Sequence, residues 1–131
     1  MTDAPPTALD PDQMTATLKE YAREGTEAAA LGLLAEHDYW LRRIAHHHPQ
    51  YVKVDDGVPW RLDWIELSKA FTRNELHAST TQNTILSIAL SIQVFGFAVN
   101  LGDILPSLDR TNTTAVLRAI AEAAGHPDAI G

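Results

Sequence analysis

The chain has 131 residues, of which 45% are apolar and 21% are charged, which is typical of one globular domain rather than of a disordered chain. Its formal net charge is −7 with neutral histidines, which argues against nonspecific binding to nucleic acid or anionic membranes, since both need a basic surface. There are no cysteines, so disulfides, thiolate nucleophiles and cysteine-ligated metals are excluded.

The N-terminal segment MTDAPPTALDPD is acidic and has no apolar stretch, so we do not expect it to be a secretory signal. We predict a flexible arm over residues 1–9, a single helical domain over 10–125 and a frayed tail over 126–131. Together with the absence of cysteine, this pattern favours a cytoplasmic protein.

Two helices are predicted in the first part of the chain. Asp10 followed by Pro11 is typical of an N-cap and a first helical residue, and Gly25 is expected to end this first helix. The second helix is predicted to run from Glu27 to Pro49, because that stretch is rich in strong helix formers. Its core-facing stripe is predicted to contain Ala30, Leu33, Leu34, Trp40, Leu41 and Ile44.

The segment YVKVDDGVPW interrupts the helical pattern at about residues 51–59. Apolar residues flank an Asp-Asp-Gly turn there, which indicates a small β-hairpin or an ordered loop. Helix returns in LDWIELSKAF. Thr72 and Glu75 then have the spacing of a capping box, so a helix is expected to break or restart at that point.

The most apolar segment extends from about residue 82 to 101 and contains no Asp, Glu, Lys or Arg. A transmembrane helix needs roughly 20 mostly apolar residues. The apolar run here is shorter, holds several polar side chains and has no basic flank. We therefore predict a central helix that the other helices bury.

A last helix is predicted in DRTNTTAVLRAIAEAAG, ending at Gly125. Its inward residues are predicted to be Val116, Leu117, Ile120 and Ala124. The fold class is therefore all-α, a compact bundle of about five helices around a central apolar helix at 82–101, with a β-hairpin near 51–59 as the one exception.

Four of the six histidines lie between residues 34 and 50, and three of them are consecutive. Each residue of a helix turns by about 100°, so His46, His47 and His48 fan around the axis and cannot all bind one ion while the helix continues. Histidines in a last turn also interact favourably with the negative end of a helix. Metal binding by this row is left open.

His37 is predicted to face the core, because it falls on the same helical stripe as Leu33 and Trp40. A buried histidine needs a hydrogen-bond partner, and a neighbouring carboxylate would tune its pKa. Partners on other predicted elements are Asp63, Glu66, Glu75 and His77. One interpretation is a core histidine bonded to a neighbouring helix. The other is an acid–base residue or metal ligand, with its imidazole oriented by Glu36, Asp63 or Glu66.

The pocket of such an enzyme is expected beside the central helix. Ser87, Ser91 and Gln93 are predicted to face His37 and Trp40 across the bundle. Polar groups that converge in an apolar cavity are typical of small-molecule sites. The sequence has no HExxH, no glycine-rich phosphate loop and no nucleophile elbow, so no cofactor-binding residue is predicted and any metal or cofactor is unassigned.

We predict a binding or oligomerising module that acts through protein–protein contacts, with itself or another protein as partner. Its apolar helix and four aromatic residues near the hairpin support this interpretation, namely Trp40, Trp60, Trp64 and Tyr51. The alternative is a small helical enzyme that uses His37 on a small molecule. Helix-turn-helix DNA binding is disfavoured, because a recognition helix starting near Thr80 would have no Arg or Lys. Membrane association is also disfavoured.

Overall fold

The computed structural model describes residues 9–130, so most of the predicted N-terminal arm and Gly131 lie outside the described residues. Within that range the chain is mostly helical, with one two-stranded antiparallel sheet. In chain order the elements are α1 (Pro11–Tyr21), α2 (Gly25–His37), α3 (Trp40–His47), β1 (Val52–Asp55), β2 (Val58–Leu62), α4 (Trp64–Thr72), α5 (Thr80–Gln93), α6 (Leu101–Ile104) and α7 (Arg110–Ala123). Short 3₁₀ turns follow α3 and α6. The helical class is confirmed, although the described residues form seven α-helices rather than about five.

Four of the helices begin at side chains that cap their free backbone N–H groups. Asp10 accepts a hydrogen bond from the backbone of Gln13 at the start of α1, as predicted. Asp63 and Asp109 do the same for α4 and α7. Ser79 forms a reciprocal capping box with Gln82 at the start of α5. The polar side chains between the apolar runs therefore fix where most helices start.

The prediction of one long helix from Glu27 to Pro49 is wrong, because the chain forms two helices there. Asp38 is in the left-handed conformation with φ 57° and ends α2, and α3 begins at Trp40. Aspartate adopts this conformation more readily than most residues. All six residues of the predicted core-facing stripe are nevertheless buried.

The predicted β-hairpin is confirmed. β1 and β2 pair antiparallel across Asp56 and Gly57, which both have positive φ as a tight hairpin turn requires. The register shifts between Lys53 and Val54, opposite the segment that contains Pro59, where a ladder hydrogen bond is missing. The hairpin extends to Leu62, three residues beyond the predicted end.

The predicted extent of the central helix, about residues 82–101, is also wrong. Helix α5 covers Thr80–Gln93 and the chain then leaves it, turning at Gly96, where φ is 86°. Within residues 9–130, no helix is long and apolar enough to cross a membrane. The second half of the most apolar segment is therefore a surface loop rather than buried helix.

The core is one contiguous cluster, and α2 occupies a more central place than predicted. Helix α2 contacts α1, α3, α5 and α7, whereas α5 contacts α2, α4 and α7. The most extensive helix pair is α2 with α7. The centre is therefore shared by two helices.

The inward face of α7 differs from the prediction. Ala115, Val116 and Ala119 are buried, whereas Leu117 and Ile120 are about half exposed and Ala124 is exposed. Small residues at a helix contact allow close approach, and the face of α2 is also rich in alanine. Close packing of α2 and α7 thus turns the larger side chains of α7 toward solvent.

Candidate functional site

His37 lies at the C-terminal end of α2 and is half-buried. Its Nδ1 is 2.9 Å from Oδ1 of Asn112, in the first turn of α7. Its Nε2 is buried and has no hydrogen-bond partner among residues 9–130. The imidazole is thus held by an amide rather than by a carboxylate.

The proposed catalytic carboxylates are engaged elsewhere. Glu36 forms an ion pair with Arg118 of α7. Asp63 caps α4 by accepting from the backbone N–H of Glu66 at 3.2 Å. The side chain of Glu66 contacts Lys69 at 3.1 Å. None of these three carboxylates orients the His37 ring, contrary to the prediction. The packing of α2 on α7 brings the Asn112 side chain to the ring instead.

The predicted pocket residues do not converge. Trp40 is fully buried and its Nε1 donates to the backbone oxygen of Gln82 at 2.6 Å. The Ser87 and Ser91 hydroxyls donate to carbonyl oxygens of their own helix, both at 2.8 Å. Such bonds to the preceding turn satisfy a hydroxyl locally and leave it little role in a pocket.

Gln93 is the last residue of α5 and lies beside the N-terminal end of α2, whereas His37 lies at the C-terminal end of α2. Its Oε1 accepts a hydrogen bond from the hydroxyl of Thr26 at 2.9 Å. Thr26 and His37 are eleven residues apart on one helix, which is roughly 16 Å along its axis. Gln93 and His37 are therefore not brought into one pocket.

The histidine row lies beside a cavity of about 540 Å³, here called the histidine cleft. Its lining residues come from α3, from the break before it and from the loop before α5: Asp38, Tyr39, Arg42, Arg43, His46, His47 and His77. Among residues 9–130 there is no group of three or more His, Asp or Glu placed to hold a metal ion. The cleft is therefore better described by its arginines and separate imidazoles than as a metal centre.

Arg43 is fixed at the edge of this cleft. Its Nη1 donates to the backbone oxygen of His77 at 2.6 Å and to the Tyr39 hydroxyl at 3.2 Å. Its Nε donates to Nε2 of His48 at 3.3 Å, and its Cζ lies 5.2 Å from the ring centre of Trp40. The guanidinium is thus oriented by neutral groups.

His48 lies half-buried behind Arg43, and its surroundings lower the pKa of its imidazole. Burial lowers the pKa of its imidazole, and the charges of Arg43 and His47 lower that pKa further. The geometry agrees, because an imidazole that accepts a hydrogen bond from Arg43 must keep that nitrogen unprotonated.

This shift predicts a loss of stability in mild acid. In the unfolded chain His48 has its ordinary pKa of about 6.5, which is higher than its pKa in the folded protein. Between these two pKa values the unfolded state binds more protons than the folded state, so protonation favours unfolding. The contribution of neutral His48 to the free energy of unfolding is therefore complete above about pH 6.5 and is lost as the pH falls through the folded pKa. His48→Gln is expected to reduce the fall in the urea midpoint of unfolding between about pH 8 and about pH 5 relative to the wild type.

His126→Gln is the control, because His126 lies in the exposed tail. This variant should retain the wild-type slope of urea midpoint against pH. An unchanged slope in His48→Gln would contradict the assignment.

A second cavity, here called the Phe97 cavity, lies between α5 and the loop that follows it. Its volume is about 420 Å³, and its walls include Phe71, Ser87, Phe97, Val99 and Ile104. The rings of Phe71 and Phe97 meet edge to face with their centres 5.8 Å apart. Ser87 therefore does line a cavity, but one without His37, and its mostly apolar walls also include Thr80, Asn83, Thr84, Asn100 and Asp103.

Phe95 lies in the same loop, two residues before Phe97, and its exposed fraction is 104%. The sequence prediction missed it, because residues 94–101 were assigned to a buried helix. A signal was available in Gly96, which lies between two phenylalanines in a stretch that favours extended structure. The apolar segment thus forms both a protruding ring and a cavity beside it.

No family model matches the chain, and comparison with curated proteins and with solved structures also finds no match. The features that could carry a function are the two cavities and the loop that contains Phe95. The loop and the Phe97 cavity are the most apolar of these surfaces.

Proposed function

We propose that the protein is a self-associating module in which Phe95 of one copy enters the Phe97 cavity of a second copy. The observation that carries the proposal is the complete exposure of the Phe95 ring, two residues before Phe97, which lines a mostly apolar cavity. Burying a phenylalanine side chain is worth about 1.5–3 kcal/mol. An aromatic side chain that fills a pocket is also the usual form of an interface hot spot.

The adjacency of ring and cavity favours a second copy over an unrelated partner. Phe95 and Phe97 are separated only by Gly96, so one small patch carries both the protruding group and its receptor. Two such patches facing each other across a two-fold axis exchange rings reciprocally. One two-fold contact therefore buries both rings and fills both cavities.

The charges of the patch allow two acidic molecules to meet. Residues 76–102 contain no Asp, Glu, Lys or Arg, although each copy carries a net charge of −7. Asp103 is the one acidic residue in the wall of the Phe97 cavity. Contact through this segment keeps most of the like charges of the two copies apart, which limits their repulsion.

Further exposed apolar residues continue the patch. Leu101 and Leu105 are 46% and 39% exposed, and each directly follows a cavity-lining residue in the chain, Asn100 and Ile104. They provide additional apolar area around the central ring, as interfaces of modest size have around their hot spots. The proposed interface is thus formed by the loop and the short helix α6.

Sedimentation velocity over a range of concentrations tests the proposal. The wild type is expected to be a dimer. Phe95→Asp is expected to weaken the dimer about 1,000-fold, because each copy loses a hot spot of about 2 kcal/mol. Ile65→Asp is the matched control, since it places the same charge at an exposed apolar position on α4. It should leave the dimer intact.

A second variant changes the cavity instead of the ring. Ala98 is exposed and lines the Phe97 cavity, so Ala98→Trp should block the cavity while Phe95 remains. We expect a monomer with wild-type thermal stability. A wild type that stays monomeric at every concentration, or a dimer unaffected by both variants, would overturn the proposal.

The alternative function, a helical enzyme using His37, retains one supporting observation. The buried Nε2 of His37 has no partner, while Nδ1 is fixed by Asn112, so one ring nitrogen is available for a proton or a ligand. If the protein is such an enzyme, ligand binding is expected to shift the ¹⁵N resonances of the His37 ring. A bound metal that is found in the untagged wild type and lost in His37→Ala would favour the enzyme over the binding module.

A further inference from the structure

We propose that the histidine cleft binds a small molecule through a phosphate monoester group. This site is separate from the interface proposed above and does not depend on it. The cleft combines a fixed arginine without a carboxylate partner, three exposed imidazoles and a volume larger than one inorganic ion.

The charge of Arg43 has no counter-charge among residues 9–130. No carboxylate of the described residues lies within ion-pair distance of its guanidinium, whereas neighbouring Arg42 contacts Asp38 at 3.1 Å and Asp12 at 3.5 Å. Unlike the exposed Arg23, Arg73 and Arg110, Arg43 is half-buried and is held by neutral partners. A bound anion would supply its counter-charge.

Arg43 is also held in place before any ligand arrives. Two backbone or side-chain oxygens, one imidazole and the face of Trp40 fix its guanidinium, and these contacts occupy Nε and Nη1 only. Its Nη2 has no acceptor among the described residues. A pre-positioned arginine loses little side-chain entropy on binding, and its planar fork is suited to phosphate oxygens.

Imidazoles from two parts of the chain line the same cleft as this arginine. His46 and His47 project from the last turn of α3, and His77 lies in the loop between α4 and α5. All three are exposed. Together with Arg43 they offer more N–H donors than the two oxygens of a carboxylate accept, whereas a phosphate monoester presents three acceptor oxygens. The donor set therefore favours phosphate over carboxylate.

The size of the cleft indicates an organic group beside the phosphate. Its volume of about 540 Å³ lies within the range of small-molecule pockets, about 300–1,000 Å³. Tyr39 contributes an aromatic wall, and its hydroxyl already contacts Arg43 at 3.2 Å. An aromatic or sugar phosphate fits this combination better than free phosphate does.

Titration of the full chain with phenyl phosphate, followed by ¹H–¹⁵N NMR, tests the site. We expect saturable shifts at α3 and His77, and weaker binding of benzoate and phenol. Arg43→Gln and the double variant His46→Gln/His47→Gln should each weaken phenyl phosphate binding about tenfold, the loss of a hydrogen bond to a charged group. His126→Gln should not change it.

The exposed double histidine variant keeps the test valid if Arg43→Gln fails to fold. No saturable binding of phenyl phosphate would overturn the proposal. Binding that survives the histidine double variant unchanged, or that maps to another surface, would overturn it as well.

Discussion

Replacing Trp40 with alanine is expected to lower the free energy of unfolding by about 3–5 kcal/mol. Trp40 is among the largest fully buried side chains of the described residues, and it begins α3 directly after the break at Asp38. Its removal leaves a cavity, and the backbone oxygen of Gln82 loses the indole N–H that binds it at 2.6 Å. This hydrogen bond joins the first residue of α3 to α5, and the variant would lose it.

Two control variants separate the contributions to this effect. Trp40→Phe keeps most of the apolar packing but removes the N–H donor, so a smaller loss of about 1–3 kcal/mol is expected. Trp60→Ala changes a tryptophan that is 36% exposed and should cost less than either. Urea unfolding of the three variants gives the comparison. Equal losses for Trp40→Ala and Trp60→Ala would contradict the structure.

Ala29→Leu is expected to destabilise the protein by about 1–3 kcal/mol or more, because it overpacks the centre of the fold. Ala29 is fully buried on α2, whose most extensive contact is with α7. Extra methyl groups there have no room in the core and would force α2 away from the helices that pack on it.

Ala16→Leu is the matched control for this substitution. Ala16 is exposed on α1, so the same change adds the same side chain to a helix without overpacking it. We expect a change in unfolding free energy within about 0.5 kcal/mol. If Ala29→Leu were as well tolerated as Ala16→Leu, the close packing around α2 would be wrong.

Features set by short stretches of sequence were predictable. The Asp10 cap and the Asp-Asp-Gly hairpin turn depend on residues within three positions of one another. The free energies that stabilise this cap and this turn come from contacts between residues close in sequence, so both could be predicted without knowing the rest of the fold. The same holds for the end of α7 before Gly125, which has φ 85°.

Features that depend on packing between distant segments were not predictable. The periodicity of α7 favoured Leu117 and Ile120 as inward residues, but close packing on the alanines of α2 exposes them. The break at Asp38 lies in a stretch of strong helix formers and is stabilised by the burial of Trp40. Tertiary packing commonly overrides helix propensity in this way.

The candidate sites show the same limit. His37 was singled out from its position on the sequence, but its partner Asn112 is 75 residues away and could not be inferred from spacing. Phe95 was missed because hydrophobicity alone does not distinguish a buried helix from an apolar surface loop. The glycine beside it was the only local sign of the turn.

The most direct test of the central claim is an isotope-filtered NMR experiment on a mixed sample, with one copy ¹³C-labelled and the other unlabelled. We predict intermolecular nuclear Overhauser effects between the Phe95 ring protons of one copy and the methyl protons of Val99 and Ile104 of the other. A dimer in which these ring protons show no intermolecular contact with either residue would contradict the proposed exchange of Phe95 rings.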